Sequence, residues 1–225
     1  MLTDTAVRPF RWLVEKLASG LAATRIHPDL LTWLSLFLNT WAGAFFAAGR
    51  FAAAGAILIA AGFCDMMDGP VARRQGRVTE FGSFLHSILN RYADLVLFLG
   101  LLVYYARVNR FLYAVLAGVA MAGAVMVSYA QARAESLIEK CRVGFWERPE
   151  RIVLMILGAL VNRMPLVLWI LAIGPNVTVI HRILHTWSQT EGRLREKQAA
   201  IQRPAAEPEQ VSEAPILTRT AGHGG

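Results

Sequence analysis

Two apolar stretches of this sequence are interrupted by polar and small residues between positions 65 and 90. Asp65 and Asp68 are three residues apart and so project from one face of a helix, where both carboxylates can bind one cation. Gly69 and Ala72 keep the next turn small, so that a bulky ligand can approach the backbone. Arg73 adds a permanently charged, forked donor that suits a phosphate. These residues predict a site for a cation and a phosphate group.

The same group continues with Gly82, His86 and Asn90, which are four residues apart and form a stripe about 12 Å long on a second helix. Hard divalent cations prefer carboxylate oxygens, whereas histidine favours zinc, copper, nickel or iron. His86 can serve as a base or as a metal ligand, but the Asn90 amide cannot take up a proton near neutrality. Asp94 lies about 80° around the helix from His86, so we expect it to pair with a buried arginine or tyrosine.

The composition places these helices in a membrane. Of the 225 residues, 55% are hydrophobic and only 17% are charged, and the mean hydropathy is +0.41. A bilayer core needs about 20 apolar residues per helix. Apolar runs occupy residues near 30–49, 51–67, 84–106, 111–132, 152–162 and 165–185. We therefore expect an all-α polytopic membrane protein with six transmembrane helices, of which the fifth is short for a full crossing.

Charge sets the expected orientation and partners of the chain. Lysine and arginine lie mostly at one set of helix ends, which predicts that both termini and the polar group face the cytoplasm. The net charge of +7 is scattered beside lipid, so we expect it to attract anionic lipid and not nucleic acid. Ionisable residues at membrane depth are functional candidates by default. The alternative for Asp65 and Asp68 is that they only cap and orient a loop near the headgroups.

Three parts of the chain differ in composition. Residues 1–29 are expected to form an N-terminal interfacial amphipathic helix and a linker, because Phe10, Leu13 and Leu17 recur at helical spacing. Residues 30–187 hold the six apolar runs and form the membrane domain. Residues 188–225 contain three prolines and mixed charges, and we expect a mostly disordered cytoplasmic tail.

The spacing D-x2-D-G-x2-A-R-x8-G, from Asp65 to Gly82, resembles the signature of the CDP-alcohol phosphotransferases, also called CDP-alcohol phosphatidyltransferases. Residues 27–32 are similar to the family's Pro-Asn-x-Leu-Thr entry to the first span. Residues 128–135 and 147–151 are similar to segments of the bacterial branch that includes phosphatidylinositol-phosphate synthase-like proteins. The resemblance covers roughly residues 1–187.

This resemblance implies a homodimer in the bacterial inner membrane, with six transmembrane helices around a polar cavity that opens to the cytoplasm. It implies transfer of a phosphatidyl group from a CDP-linked lipid such as CDP-diacylglycerol to an acceptor alcohol, with release of CMP. The cofactor that it implies is a divalent metal, Mg²⁺ or Mn²⁺, which neutralises the diphosphate in phosphoryl transfer.

The resemblance also assigns roles to individual residues. Asp65 and Asp68 match two metal ligands of the family, and His86 stands at the position of a third. Asn90 stands where the family has its proposed general base. The residues that match the family's nucleotide site are Gly69, Ala72, Arg73 and Gly82. Two of the four signature aspartates are therefore replaced, and metal binding is expected to be weakened or absent.

These replacements leave three hypotheses open. The chain is an active transferase with an altered site, or a catalytically impaired paralogue that binds nucleotide or lipid without turnover, or a variant in which two aspartates were changed to stop catalysis. Three basic residues are candidates for a pocket that binds a phosphorylated acceptor, although each is equally explained by the positive-inside rule: Arg133, Arg148 and Arg151.

Overall fold

The structure, a computed structural model, describes residue 20, residues 27–141 and residues 143–202. Within these residues it contains six α-helices and no β-strand: α1 (Pro28–Ala47), α2 (Phe51–Arg74), α3 (Glu80–Arg107), α4 (Phe111–Glu135), α5 (Arg148–Leu160) and α6 (Met164–Gln202). The all-α fold predicted from the apolar runs is confirmed. Most of the predicted interfacial helix, residues 1–19 and 21–26, lies outside the described residues.

Five of the helices are long and apolar enough to cross a membrane, by length and composition, and these are α1, α2, α3, α4 and α6. Helix α5 has 13 residues and extends about 20 Å, which is less than the roughly 30 Å of a bilayer core. A Cβ on Gly55, near the start of α2, would lie 3.1 Å from Ala159 Cβ near the end of α5. Helix α5 therefore runs to the end of the bundle where α2 begins, and its first residue lies at the depth of the polar group.

Four helices end in the same tight turn. The residue that follows the last helical turn has a positive φ of 75° at Gly49, 65° at Gly76, 55° at Asn109 and 56° at Asn162. In each turn the next residue is an arginine whose N–H donates to the carbonyl five residues earlier, at 2.9–3.0 Å. Glycine and asparagine adopt this left-handed conformation at the lowest cost. Three of these turns join helices that pack side by side, namely α1 with α2, α3 with α4 and α5 with α6.

The helices pack as a closed ring. Helix α1 contacts α2 and α3, α4 contacts α3 and α6, and α5 contacts α2 and α6. The core contains buried apolar side chains from all six helices. Helices α1 and α3 cross closely where a Cβ on Gly100 would overlap the carbonyl of Gly43. The first turns of α1 and α3 also lie beside each other, since a Cβ on Gly82 would lie 3.5 Å from Asp29 Oδ1.

The connection between α4 and α5 is irregular and packs against α6. Arg182 of α6 is 1% exposed, and it donates from Nε to the carbonyl of Val143 at 2.9 Å. Trp146 fills the space beside Gly174, where a Cβ would overlap the indole ring. Irregular backbone at membrane depth needs hydrogen-bond partners within the protein, and Arg182 supplies one. This packing places Arg148, the first residue of α5, inside the bundle.

Helix α6 runs without a break from Met164 to Gln202. The predicted boundary between membrane domain and tail, at residue 187, falls within this helix. Arg193, beyond that boundary, donates to the carbonyl of Leu137 at 3.0 Å, so this part of α6 contacts the connection between α4 and α5. The rest of the predicted tail, residues 203–225, lies outside the described part of the chain.

Candidate functional site

Signature residues of α2 and α3 line one cavity at the end of the bundle where α1 and α3 begin. Its volume is about 280 Å³. Helix α3 starts on the wall of this cavity because Thr79 caps it, with Thr79 Oγ1 accepting from the N–H of Gly82 at 2.9 Å. The signature residues that line the cavity are Asp68, Gly69, Ala72, Arg73, Gly82 and His86.

The two signature glycines have different reasons to lack a side chain. A Cβ at Gly82 would lie 2.9 Å from Thr79 Oγ1 and 3.5 Å from Asp29 Oδ1, so Gly82 allows the helix cap and α1 to approach. A Cβ at Gly69 would meet only the Arg73 guanidinium, at 3.4 Å. No other described part of the protein fills the space beside Gly69, which therefore remains open to a ligand.

Asp68 is the most highly connected carboxylate of the cavity, and it is 8% exposed. Its Oδ1 accepts from the N–H of Gly69 at 2.6 Å, and its Oδ2 accepts from the Thr32 hydroxyl at 3.2 Å. The same Oδ2 lies 2.6 Å from Nδ1 of His86. Contacts from α1, α2 and α3 therefore fix this carboxylate in one orientation.

His86 joins Asp68 to Asn90. While Nδ1 of His86 faces Asp68, its Nε2 lies 2.8 Å from Nδ2 of Asn90. An amide nitrogen only donates, so Nε2 is assigned as the acceptor and Nδ1 as the atom that carries the proton in the neutral ring. A carboxylate beside Nδ1–H is the arrangement that orients a histidine as a base through Nε2. The geometry gives His86 this tautomer, and the Asn90 amide occupies its lone pair.

Asp65 forms an ion pair with Arg148 of α5. The Asp65 and Arg148 side chains are 13% and 15% exposed, so the pair is largely buried. Nε of Arg148 also lies 3.2 Å from Oδ1 of Asp94 on α3. Among the described residues, Arg148 Nη2 and Asp65 Oδ1 are buried atoms without a hydrogen-bond partner. Arg148 thus bridges α2 and α3 through two carboxylates.

Asp94 forms a second ion pair with α5. Its Oδ2 lies 2.5 Å from Nη2 of Arg151, and the two side chains are 2% and 1% exposed. Arg151 also donates to the carbonyl of Trp146 at 3.3 Å. The expectation that Asp94 pairs with a buried arginine is confirmed, but its ion-pair partners are Arg148 and Arg151 of α5, whereas Arg91 or Tyr92 was expected. Since α5 packs chiefly on α2 and α6, these ion pairs cross the interior of the helix ring.

The basic residues assigned to an acceptor pocket lie in different places. Arg148 and Arg151 are held in the ion pairs with Asp65 and Asp94. Arg133 lies near the end of α4 and donates to the Ser136 hydroxyl at 3.4 Å. It lines a separate groove of about 460 Å³ between α4 and α6. A role of these arginines in acceptor binding stays a prediction.

The donor atoms of the site do not fit Mg²⁺ or Mn²⁺. Hard cations take about six ligands, mostly oxygens, but both oxygens of Asp68 already have partners and Asp65 is paired with arginine. The facing positions on α3 carry an imidazole and an amide. In the part of the chain that the structure describes, no three Asp, Glu, His or Cys side chains form a group that could hold a metal ion. Asp65, Asp68 and His86 are not brought together as ligands.

Sequence reasoning did not assign six of the residues that line the cavity, which are Asp29, Thr32, Arg77, Val78, Thr79 and Ser83. Thr32 had a signal, because it lies in the segment that is similar to the family's entry to the first span. Arg77 lies beyond the end of α2, in the turn at Gly76, so helical spacing from Arg73 does not place it at the cavity. The pairing of Asp65 with Arg148 had no such signal, since the two residues are 83 positions apart.

Comparison with known proteins extends the likeness beyond the site. The family model for CDP-alcohol phosphatidyltransferase matches residues 25–187. The archaetidylinositol phosphate synthase of Methanothermobacter thermautotrophicus is 32% identical over 195 residues, an alignment that covers 84% of this chain and 97% of the relative. The phosphatidylinositol phosphate synthase of Mycobacterium tuberculosis is 31% identical over 193 residues, which covers 80% of this chain and 88% of the relative.

Solved structures show the same fold. The crystal structure of the Mycobacterium tuberculosis phosphatidylinositol phosphate synthase with manganese and citrate has a TM-score of 0.69 and 29% identity, over 77% of this chain and 88% of that chain. The structure of the same enzyme with CDP-DAG bound has a TM-score of 0.69 and 28% identity, over 77% of this chain and 93% of that chain. Matched across all six helices and across most of the length of its relatives, this multi-pass membrane protein belongs to the CDP-alcohol phosphatidyltransferase family.

Proposed function

We propose that this chain moves a phosphatidyl or related phospholipid group from a CDP-linked lipid such as CDP-diacylglycerol to an acceptor alcohol and releases CMP. The observation that carries the proposal is the convergence of six signature residues on one cavity. The relative that was crystallised with CDP-DAG supports a CDP-linked lipid as the donor. The names of the relatives support an inositol phosphate as the first acceptor to test.

We assign binding of the CDP-linked lipid donor to the end of α2 and the turn after it. Arg73 and Arg77 line the cavity and are exposed to it, and guanidinium groups bind phosphate oxygens in a forked manner. Gly69 leaves the space in which a diphosphate can approach the backbone. In this proposal the two arginines neutralise the diphosphate, and the open wall at Gly69 orients it.

His86 is the base that we assign to the acceptor hydroxyl. The acceptor oxygen bonds to the phosphorus of the phosphatidyl group, the bond from that phosphorus to the CMP oxygen breaks, and CMP leaves with the electron pair. The acceptor proton passes to Nε2 of His86, where the hydroxyl replaces the amide of Asn90. Asp68 orients the ring through Nδ1 and stabilises the imidazolium that forms.

Release of CMP tests this proposal. The purified chain in mixed micelles receives CDP-diacylglycerol and inositol phosphate, followed by other alcohols if that acceptor is inactive. His86→Ala is expected to lower the rate about a hundredfold to ten-thousandfold, the usual contribution of a general base. His185→Ala removes a histidine of α6 that does not line the cavity, and it is expected to keep the wild-type rate.

Two outcomes contradict the proposal. If the wild-type chain releases no CMP with any acceptor, it is not a transferase under these conditions, and binding of CDP-diacylglycerol without CMP release identifies the impaired paralogue. If His86→Ala keeps the wild-type rate, the assigned base is wrong although transfer occurs.

We also propose that the chain crosses the bacterial inner membrane six times as a homodimer, with both termini in the cytoplasm. The buried connection before α5 supports a sixth crossing despite the short helix, and the placement of lysine and arginine supports the orientation. Chemical cross-linking in intact membranes tests the dimer.

Arg133→Ala tests the acceptor pocket. This variant is expected to have a higher KM for a phosphorylated acceptor and an unchanged KM for the lipid donor.

A further inference from the structure

We propose that this site binds the diphosphate of its ligand without a divalent cation, because His86 and Arg148 hold the carboxylates that would otherwise bind the metal. The identity of that ligand, a CDP-linked lipid, comes from the proposed function. Metal binding itself is measured without any ligand, so the proposed function and the proposal of a metal-free site can fail separately.

Asp65 is held by a charge that a metal would have to displace. Arg148 bonds to Asp65 and also lies 3.2 Å from Asp94, and both arginine contacts are largely buried. A guanidinium group stays protonated in proteins, so Arg148 presents a permanent positive charge beside the carboxylate. A divalent cation at Asp65 would meet this charge, and removing Arg148 from its buried pair would leave Asp94 with only Arg151.

Asp68 accepts two hydrogen bonds and lies against the imidazole of His86. The N–H of Gly69, the hydroxyl of Thr32 and the imidazole of His86 all lie within 3.2 Å of its oxygens. A cation at Asp68 would have to compete with these groups, because they already face three of the roughly four lone-pair positions of the carboxylate. His86 cannot serve as a ligand through Nδ1 while that atom faces Asp68. Its Nε2 faces the amide of Asn90, and an imidazole nitrogen is in any case a poor ligand for a hard cation.

The charges of the site are balanced before any ligand binds. The carboxylates that line the cavity or pair with α5 are Asp29, Asp65, Asp68 and Asp94. The guanidinium groups that line the cavity or pair with these carboxylates are Arg73, Arg77, Arg148 and Arg151. Four positive charges therefore neutralise four negative ones without a metal ion. Aspartates at positions 86 and 90 would add two negative charges and leave the site with a net negative charge.

Manganese alone is the first probe. The full chain in detergent micelles is titrated with Mn²⁺, and binding is read by electron paramagnetic resonance as loss of the sharp signal of the free ion. We expect the wild-type chain to leave this signal unchanged. The double variant His86→Asp, Asn90→Asp is expected to reduce it, because the variant releases Asp68 from the imidazole and adds two carboxylates, although Asp65 stays paired with Arg148. A matched control, His185→Asp with Asn162→Asp, makes the same two chemical changes away from the cavity, and it is expected to behave like the wild type.

Loss of the free-ion signal with the wild-type chain overturns the proposal. An unchanged signal with the folded double variant also overturns it, because positions 86 and 90 would then not be what excludes the metal. A thermal melt establishes that this variant is folded, and if it is not, the wild-type measurement decides the question.

CDP is the second probe, measured with EDTA and with Mn²⁺. We expect the dissociation constant of the wild-type chain to change by less than about twofold between the two buffers, whereas a loss of affinity of about tenfold or more in EDTA overturns the proposal. If CDP binds in neither buffer, the ligand named in the proposed function is wrong, and the Mn²⁺ titration alone decides whether the site excludes metal.

Discussion

Asp94→Asn is expected to destabilise the helix bundle substantially, because it leaves the buried guanidinium of Arg151 without a counter-charge. Arg151 is 1% exposed and lies 2.5 Å from Asp94 Oδ2. Arg148 is affected less, since it loses one carboxylate partner and keeps its ion pair with Asp65. The perturbation therefore isolates one buried positive charge at the start of α5.

The magnitude follows from the charges and their burial. Two unit charges about 4 Å apart attract by about 4 kcal/mol at an effective dielectric constant of about 20, and breaking a buried pair by removing one partner costs about 3–5 kcal/mol. The asparagine amide can still accept one hydrogen bond from Arg151, which returns part of this energy. We therefore expect the free energy of unfolding to fall by about 3 kcal/mol for Asp94→Asn and by up to about 5 kcal/mol for Asp94→Ala.

The assay is unfolding in mixed micelles with increasing denaturant, followed by the helical circular dichroism signal. Asp29→Asn is the matched control, because its carboxylate is 44% exposed and faces the exposed ring of His27, and a change of less than about 1 kcal/mol is expected. The double variant Asp94→Asn, Arg151→Met removes both charges. Its free energy of unfolding is expected to exceed that of Asp94→Asn by about 2 kcal/mol or more.

Two results would refute this reasoning. A loss below about 1 kcal/mol for Asp94→Asn would mean that Arg151 is hydrated or pairs with another group. A double variant no more stable than Asp94→Asn would mean that the cost comes from altered packing and not from the unpaired charge.

The other stability predictions concern helix ends and helix crossings, and thermal melts in the same micelles test them. Thr79→Ala removes the cap of α3 and is expected to cost about 1 kcal/mol, with faster hydrogen exchange at the Gly82 N–H that the cap holds; unchanged exchange would contradict the cap. Gly100→Ala is expected to cost about 1–3 kcal/mol, because the new Cβ overlaps the carbonyl of Gly43. Gly62→Ala, with no atom within 4 Å of the new Cβ, is expected to stabilise α2 by about 0.5–1 kcal/mol, and equal effects of the two alanines would refute the close crossing.

Much of the fold was predictable because membrane helices are specified locally. The apolar run at residues 111–132 became α4 at Phe111–Glu135, since a bilayer requires each crossing helix to satisfy its own backbone hydrogen bonds. The fifth run was recognised as short, and α5 has 13 residues. Its start inside the bundle was not predictable, because it depends on the contact of the preceding connection with Arg182 of α6.

What the sequence by itself determined is the composition of the cavity wall. Residues spaced three or four apart lie on one helix face whatever the rest of the chain does, so the spacing from Asp65 to Asn90 was enough to identify two facing half-sites and the family. Only the tertiary structure decided which arginine or hydroxyl contacts which carboxylate. Thr32 reaches Asp68 across 36 positions and Arg148 reaches Asp65 across 83, and no local periodicity encodes such pairs, because they depend on how the ring of helices closes.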